Sequence, residues 1–463
     1  MKKKLVSVIL CAAMTGALLA GCGSGTAGTE PAGTETAEGG ASAEETPAEE
    51  ETVAAESADA GTEEPSLDSG EIYMFISSPE YADAINTLIE EYAEVAPGVT
   101  INYETTQNDY PTLLKAKINS GEIPDIFSST SGKEIDTYKE YSFDLTGQPL
   151  METIAPSVAD AMKSPSEGTG CYGIAIKGNY FGIVYNKEIF EEVGIAAFPQ
   201  TTGEMEAACE KLSAAGYTPF TTGFAEWWVF KHCAQSFFDA AAENAGISAA
   251  ELVARFERGE AKMADYPELY ENWFDFIDLA VKYGDAKPLE TDLAGEESAF
   301  GSGKAAMVLG QGAWIESDVL AIDSGLQIGF DGYPVTDQAE QCKVISGSDQ
   351  ALHVNKDSAN LQAVLNFINW WYTSDEGKAW FTDVAGVVSP IKSDAEATFA
   401  IIQQGDALSA EEGTNTLEIC LSTDSWHQTF GEIMQAYIAG TADKDATCAA
   451  IEKKWQEIDG AAQ

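Results

Sequence analysis

The chain has 463 residues, with 76 Asp and Glu against 25 Lys and Arg and a formal net charge of -51 at pH 7. Its length exceeds one ordinary core and predicts two domains or more, and its 44% hydrophobic and 10% aromatic residues are enough to fill them. So acidic a surface repels phosphate backbones and anionic headgroups, which argues against nucleic acid as a partner and leaves neutral or cationic small molecules open.

In chain order the first signal is Met1-Lys2-Lys3-Lys4, a basic start, followed by the uncharged apolar run Leu5 to Ala20. The run is short for a membrane span and ends in small residues, the pattern of a secretory signal. Leu19-Ala20-Gly21-Cys22 resembles the bacterial lipobox. That resemblance implies that residues 1–21 are a leader and that Cys22 carries a diacylglycerol, whose two acyl chains anchor stably where one would not. Residues 22–70 follow as the lipidated cysteine and a stalk. From Gly23 to Gly70 there is no Lys or Arg and almost no large apolar residue, so the segment cannot offset its ordering entropy and is expected to be extended and disordered. Thirteen of the 76 acidic residues sit here and say little about any binding site. An acidic interaction tail is the alternative. A long stalk after a lipobox suits the outer face of a Gram-positive cell membrane.

The folded part is expected to begin near Glu71. Ile72–Ile76 is a β-rich apolar run broken by Ser77-Ser78-Pro79, and Tyr81, Ile85, Leu88, Ile89 and Tyr92 then recur at helical spacing. Pro97-Gly98 ends that helix, and Val99–Tyr103 alternates as a second strand. Strand, helix and strand in this order predict a mostly parallel α/β sheet. Phe181–Tyr185 reads as a further strand, and Met205–Leu212, Trp273–Val281 and Leu361–Tyr372 read as amphipathic helices.

The six cysteines beyond Cys22 match no zinc spacing, and both disulfide pairing and buried free thiols are open to them. The chain has no His-Glu-x-x-His and no Gly-x-Ser-x-Gly, and His232, His353 and His427 lie far apart. Gly301-Ser302-Gly303-Lys304 has the end of a phosphate loop, but Ala305 stands where Ser or Thr would hold magnesium. No catalytic group, metal or cofactor is predicted.

A series of local patterns runs in order along the chain: Gly121-Glu122-Ile123-Pro124-Asp125-Ile126; Tyr172–Ala175 with Val184–Phe190; Pro199-Gln200-Thr201-Thr202; Ala299–Met307 with Gly312-Ala313-Trp314; Gly332-Tyr333-Pro334; and Ser374–Gly377. Together they resemble the family 1 extracellular solute-binding proteins, the group of the maltose-binding protein. The resemblance implies the type II fold of periplasmic binding proteins: two α/β lobes, a hinge of crossing segments and a central cleft. By motif position one lobe would be 71–180 and 347–395, and the other 181–346 and 396–463. It implies a monomeric, lipid-anchored binder that captures a small molecule, an oligosaccharide, and passes it to the permease subunits of an ABC importer. A surface receptor for a chemosensory or two-component system, a binder of a non-sugar solute and a secreted glycan-active enzyme are the other readings.

Sugars need aromatic planes for their C–H faces and polar groups for their hydroxyl edges. On segments that match the family's contacts stand Glu226, Trp227 and Trp228, then Trp314 after the helix read into Gly-Lys-Ala-Ala-Met, and Trp426 near the start of a late helix. The polar candidates are Ser77 and Ser78, Ser129, Asn179 and Tyr180 at the first crossing, and Asp349 at the second. Trp370-Trp371 sits at helical spacing with Leu365 and Phe367 and is expected to pack, as are Trp273, Trp380 and Trp455. Gly132-Lys133 stands where maltose binders carry an acid and an arginine, which argues against maltose.

Overall fold

The computed structural model describes residues 69–159, 161–392 and 397–460. The expected leader, lipidated Cys22 and stalk, up to residue 68, lie outside the described residues. Strands follow in the order β1 (Gly70–Ile76), β2 (Val99–Thr105), β3 (Ile126–Thr130), β4 (Ile174–Ala175) and β5 (Asn179–Asn186). Then come β6 (Thr218–Thr221), β7 (Ala305–Gln311), β8 (Ile328–Asp331), β9 (Ile345–Gly347) and β10 (Gln350–Val354). They form two sheets, ordered β2-β1-β3-β10-β4 and β6-β7-β5-β8, with β9 paired to β5.

The first sheet grows from the strand–helix–strand unit expected at its start. Ile72, Met74, Phe75 and Ile76 are fully buried, which places β1 inside the sheet rather than at its edge. It pairs in parallel with β2 and β3, Ile72 opposite Ile101 and Met74 opposite Ile126. The helix Ala82–Val95 makes the crossover and turns Ile85, Leu88 and Tyr92 inward. β10 returns antiparallel to β3, with Leu352 opposite Ser128. The helix Leu361–Thr373 then covers the sheet with Phe367 and Trp371, while Trp370 packs on Tyr92 at a ring distance of 5.0 Å.

The second sheet has β5 at its centre, antiparallel to β7 and β8. The helix Thr202–Ala215 is capped by Thr201, whose hydroxyl accepts from Glu204 N. Helices Val229–Asn244, Trp273–Tyr283, Asp424–Ile438 and Lys444–Gly460 complete this half. Its core joins Phe237, Trp273, Trp426 and Trp455. One expected element differs: the helix Leu293–Gly301 stops before Gly-Lys-Ala-Ala-Met, and Ala305–Met307 open β7 instead. All seven residues of β7 are buried between β5 and β6, and small or branched apolar residues at such a position satisfy a central strand.

The chain passes from the first sheet to the second between β4 and β5 and returns between β9 and β10. Cys171, Cys209, Cys233, Cys342, Cys420 and Cys448 are all buried free thiols.

Candidate functional site

Where the two sheets face each other, the ends of β1, β3, β5, β7 and β10 and the helix starts beside them line a cavity. Its empty volume is about 920 Å³ with the solvent at its mouth included. Open α/β sheets place ligands beyond the carboxyl ends of their strands, and Ser77 after β1 and Ser128–Thr130 at the end of β3 follow that rule.

Eight of the eleven candidate ligand-binding residues line this cavity: Ser77, Ser129, Asn179, Glu226, Trp227, Trp228, Trp314 and Asp349. Trp314 sits in the single turn Ala313–Ile315 that follows β7 and is half-buried. Its ring folds back over Gly312, where an added Cβ would lie 2.5 Å from Trp314 Cζ3 and 2.5 Å from the Tyr180 carbonyl, so only glycine permits the approach. Phe181 and His232 meet the indole edge-on at 5.7 Å and 6.1 Å.

Asp349 is the electrostatic centre. Asn179 Nδ2 donates to its Oδ1 at 2.9 Å, and Lys231 Nζ and His232 Nε2 stand 3.7 Å and 3.9 Å from its Oδ2. Burial alone would raise this carboxyl, but the charges of Lys231 and Lys177 outweigh it and hold it down to about 2. His232 is pushed down to about 3 by burial first and by Lys231 second, so the imidazole is neutral. Its Nδ1 lies 2.9 Å from the Gly310 carbonyl, which only an N–H can satisfy, so Nε2 is left as an acceptor. Lys177 rests 3.2 Å from Glu80 and over the rings of Tyr81 and Trp314, at 4.7 Å and 5.8 Å.

Glu226 Oε2, Trp227 Nε1, Trp228 Nε1 and His232 Nε2 are buried and have no hydrogen-bond partner among the described residues. Buried polar groups are usually paired, and here two donors and two acceptors are left over on residues that line one cavity. A polyhydroxylated guest, able to donate and accept at each hydroxyl, matches that set.

Three predicted residues are not brought to the cavity. Trp426 is fully buried in the core, its ring 3.9 Å from Trp455 and 4.8 Å from Phe430. Asp424, two residues earlier at the head of the same helix, lines the cavity instead. Tyr180 points to the opposite face of β5 from Asn179 and Phe181, and its hydroxyl donates to Asp406 Oδ1 at 2.8 Å. Ser78 is fully buried and spends its hydroxyl on Gln350 Oε1 at 2.8 Å. Ser129 lines the wall, but its hydroxyl is engaged by Thr130 O and His353 Nε2 at 2.8 Å and 2.7 Å.

The residues missed are mainly Lys177, Lys231, His232 and Asp424. Lys231 and His232 stand four residues after Trp227 and Trp228, one helical turn on, so the spacing carried the signal. Asp424 also ties the two halves together: Thr130 Oγ1 donates to its Oδ1 at 2.5 Å, and its own N–H donates to Glu134 Oε1 at 3.0 Å. Burial would raise Asp424, but His427, 3.7 Å away, and the hydrogen bond from Thr130 keep it below its ordinary value. Burial and that neighbouring charge raise Glu134 well above its own.

The profile of the bacterial extracellular solute-binding proteins matches residues 77–378. A multiple sugar-binding protein of Streptococcus mutans is 21% identical over 323 residues, which are 69% of this chain and 74% of that protein. The fold superposes on a Bacillus licheniformis sugar transporter protein in complex with stachyose, with a TM-score of 0.68 and 18% identity over 84% of this chain and 100% of that one. A solute-binding protein in complex with raffinose gives a TM-score of 0.71 at 17% identity, over 84% of this chain and 100% of that one. At these identities the structural likeness shows the fold: two-sheet, periplasmic-binding-protein-like α/β.

Proposed function

This chain belongs to the bacterial extracellular solute-binding proteins, and from that premise we propose that it captures an oligosaccharide in the cavity between its two sheets and hands it to an ABC permease. The observation that carries the sugar is the combination of a half-exposed Trp314 with unpartnered indole, imidazole and carboxylate atoms around one cavity. Trp314 offers a flat apolar face, and Trp227, Trp228, Glu226 and His232 offer two donors and two acceptors to hydroxyl edges. The sugars named with the similar proteins above point the same way.

In this reading the lobes are 71–180 with 347–395 and 181–346 with 396–463, and the ligand contacts are Trp314, Trp227, Trp228, Glu226, Asn179 and Asp349, joined by Lys231 and His232. Cys22 anchors the monomer to the outer face of the membrane through its lipid, and the stalk holds the lobes clear of it. The protein changes no bond in its cargo. Its work is to bind, close and release, and a ligand drives closure only by its higher affinity for the closed state.

Calorimetric titration with raffinose, stachyose, chitin oligosaccharides and xylo-oligosaccharides, with amino acids and short peptides as comparators, tests the class. Saturable binding of at least one oligosaccharide is expected. Binding of peptides or amino acids with no response to any sugar overturns it.

A further inference from the structure

Trp314 takes its orientation from groups behind the cavity wall. Its indole N–H donates to Gln311 Oε1 at 2.8 Å, and Gln311 Nε2 donates in turn to Glu296 Oε2 at 2.6 Å. Gln311 and Glu296 are both fully buried. An indole N–H can only donate, so Gln311 must present its oxygen to Trp314 and its amide N–H to Glu296; flipping the amide would lose the indole bond. Gln311 is the last residue of β7, its backbone registered against Gly182 of β5. Glu296 lies in the helix Leu293–Gly301, whose first residue also lines the cavity.

The same carboxyl braces the other aromatic wall. Gly223 has φ 55, and a Cβ there would fall 2.3 Å from Glu296 Oε2. The Gly223 carbonyl accepts from Glu226 N at 2.9 Å, which closes the turn that presents Glu226, Trp227 and Trp228. One buried side chain therefore backs Trp314 through Gln311 and the Glu226–Trp228 turn through Gly223.

We infer that Glu296 and Gln311 are positioning residues that fix the two aromatic walls, so that sugar affinity depends on a buried carboxyl–amide pair that touches no ligand. The inference rests on the reading that Trp314 faces the ligand. Burial first, opposed by the Gln311 hydrogen bond and reinforced by the charges of Asp285, Glu297 and Glu226, raises the Glu296 carboxyl well above its ordinary value. Glu296 serves Gln311 as an acceptor of fixed shape, and an amide of the same shape can replace it.

Indole ¹⁵N spectroscopy and raffinose titration of the full chain test this, with the Trp314 N–H assigned by its loss in Trp314→Phe. In Gln311→Met and in Glu296→Leu the Trp314 N–H resonance should move and exchange faster with water. Raffinose affinity should fall about tenfold, the effect of roughly one positioned hydrogen bond. Glu296→Gln should restore resonance and affinity to within about twofold of wild type, under about 0.5 kcal/mol. If Gln311→Met does not fold, Gln311→Asn carries the same groups one methylene short and must show the same losses. An unmoved Trp314 resonance in the Gln311 variant overturns the inference whether or not raffinose binds, as does a Glu296→Gln protein as impaired as Glu296→Leu. A Trp314→Ala protein that binds raffinose as wild type does would instead sink the ligand-facing reading. Loss in Trp314→Ala with unchanged binding and resonance in the Gln311 and Glu296 variants would sink the relay alone.

Discussion

Replacing Asp349 by Asn keeps the shape of the side chain and removes a buried negative charge that Lys231 and Lys177 hold ionised in the cavity wall. The magnitude follows from the position of the carboxyl, held from the usual 3.8 down to about 2 against the cost of its burial. At about 1.4 kcal/mol per pH unit, its ionised form stabilises the fold by roughly 2–3 kcal/mol at neutral pH. An unfolding entropy of about 2.1 cal/mol/K per residue makes that a fall of roughly 3 °C in melting temperature for the unit Glu64–Gln463. The pH dependence has a definite sign. Because the folded value is depressed, the stabilisation is fully present above pH 3.8 and is lost as pH falls toward 2. Melting curves of wild type and Asp349→Asn from pH 7 to pH 2 should therefore run a constant distance apart down to about pH 5 and converge toward pH 2, as linkage requires. A gap that persists unchanged at pH 2, or no gap at pH 7, refutes the assignment of Asp349 as the counter-charge of this site.

Trp314→Ala and Trp426→Ala should behave as opposites. The first removes a cavity wall and should weaken binding of a recognised oligosaccharide by at least about 2 kcal/mol, roughly thirtyfold, in calorimetry. The second empties a filled core site and should cost about 3–5 kcal/mol of stability by denaturant titration while sparing affinity in the folded fraction. Burial pushes the thiols of Cys171, Cys209, Cys233 and Cys448 up to about 12, so iodoacetamide should label none of the four in native protein and all of them in denaturant, by peptide mapping. Cys22→Ala should release folded protein from membranes into the medium, measured by fractionation; retention at the membrane would refute the lipid anchor.

Much of this fold was legible because its signals are local. The spacing of Ile85, Leu88 and Tyr92, the stop at Pro97-Gly98 and the alternation after Val99 each depend on a few neighbouring residues, and the structure keeps all three. Where the reading failed, the deciding partner lay far along the chain. Trp228 and Trp426 both stand at helix starts rich in aromatics, yet Trp455 from the C-terminal helix stacks on Trp426 and takes it into the core. The family resemblance takes Ala305–Met307 into a helix, but β5 and β6 on either side make it a strand. Tyr180 turns away from the cavity because the strand begins at Asn179 rather than Phe181, and alternation along it puts Tyr180 opposite Asn179 and Phe181. The charged members Lys177 and Asp424 gave no local sign, because the cavity that collects them is built from both sheets.

A crystal structure of the chain with the oligosaccharide that it binds most tightly tests the central claim most directly. The account predicts a sugar ring lying on the face of Trp314, with hydroxyls in reach of Trp227 or Trp228 Nε1, Glu226 and His232 Nε2. A sugar bound elsewhere on the surface, or a cavity occupied by the side chain of a peptide, would contradict it.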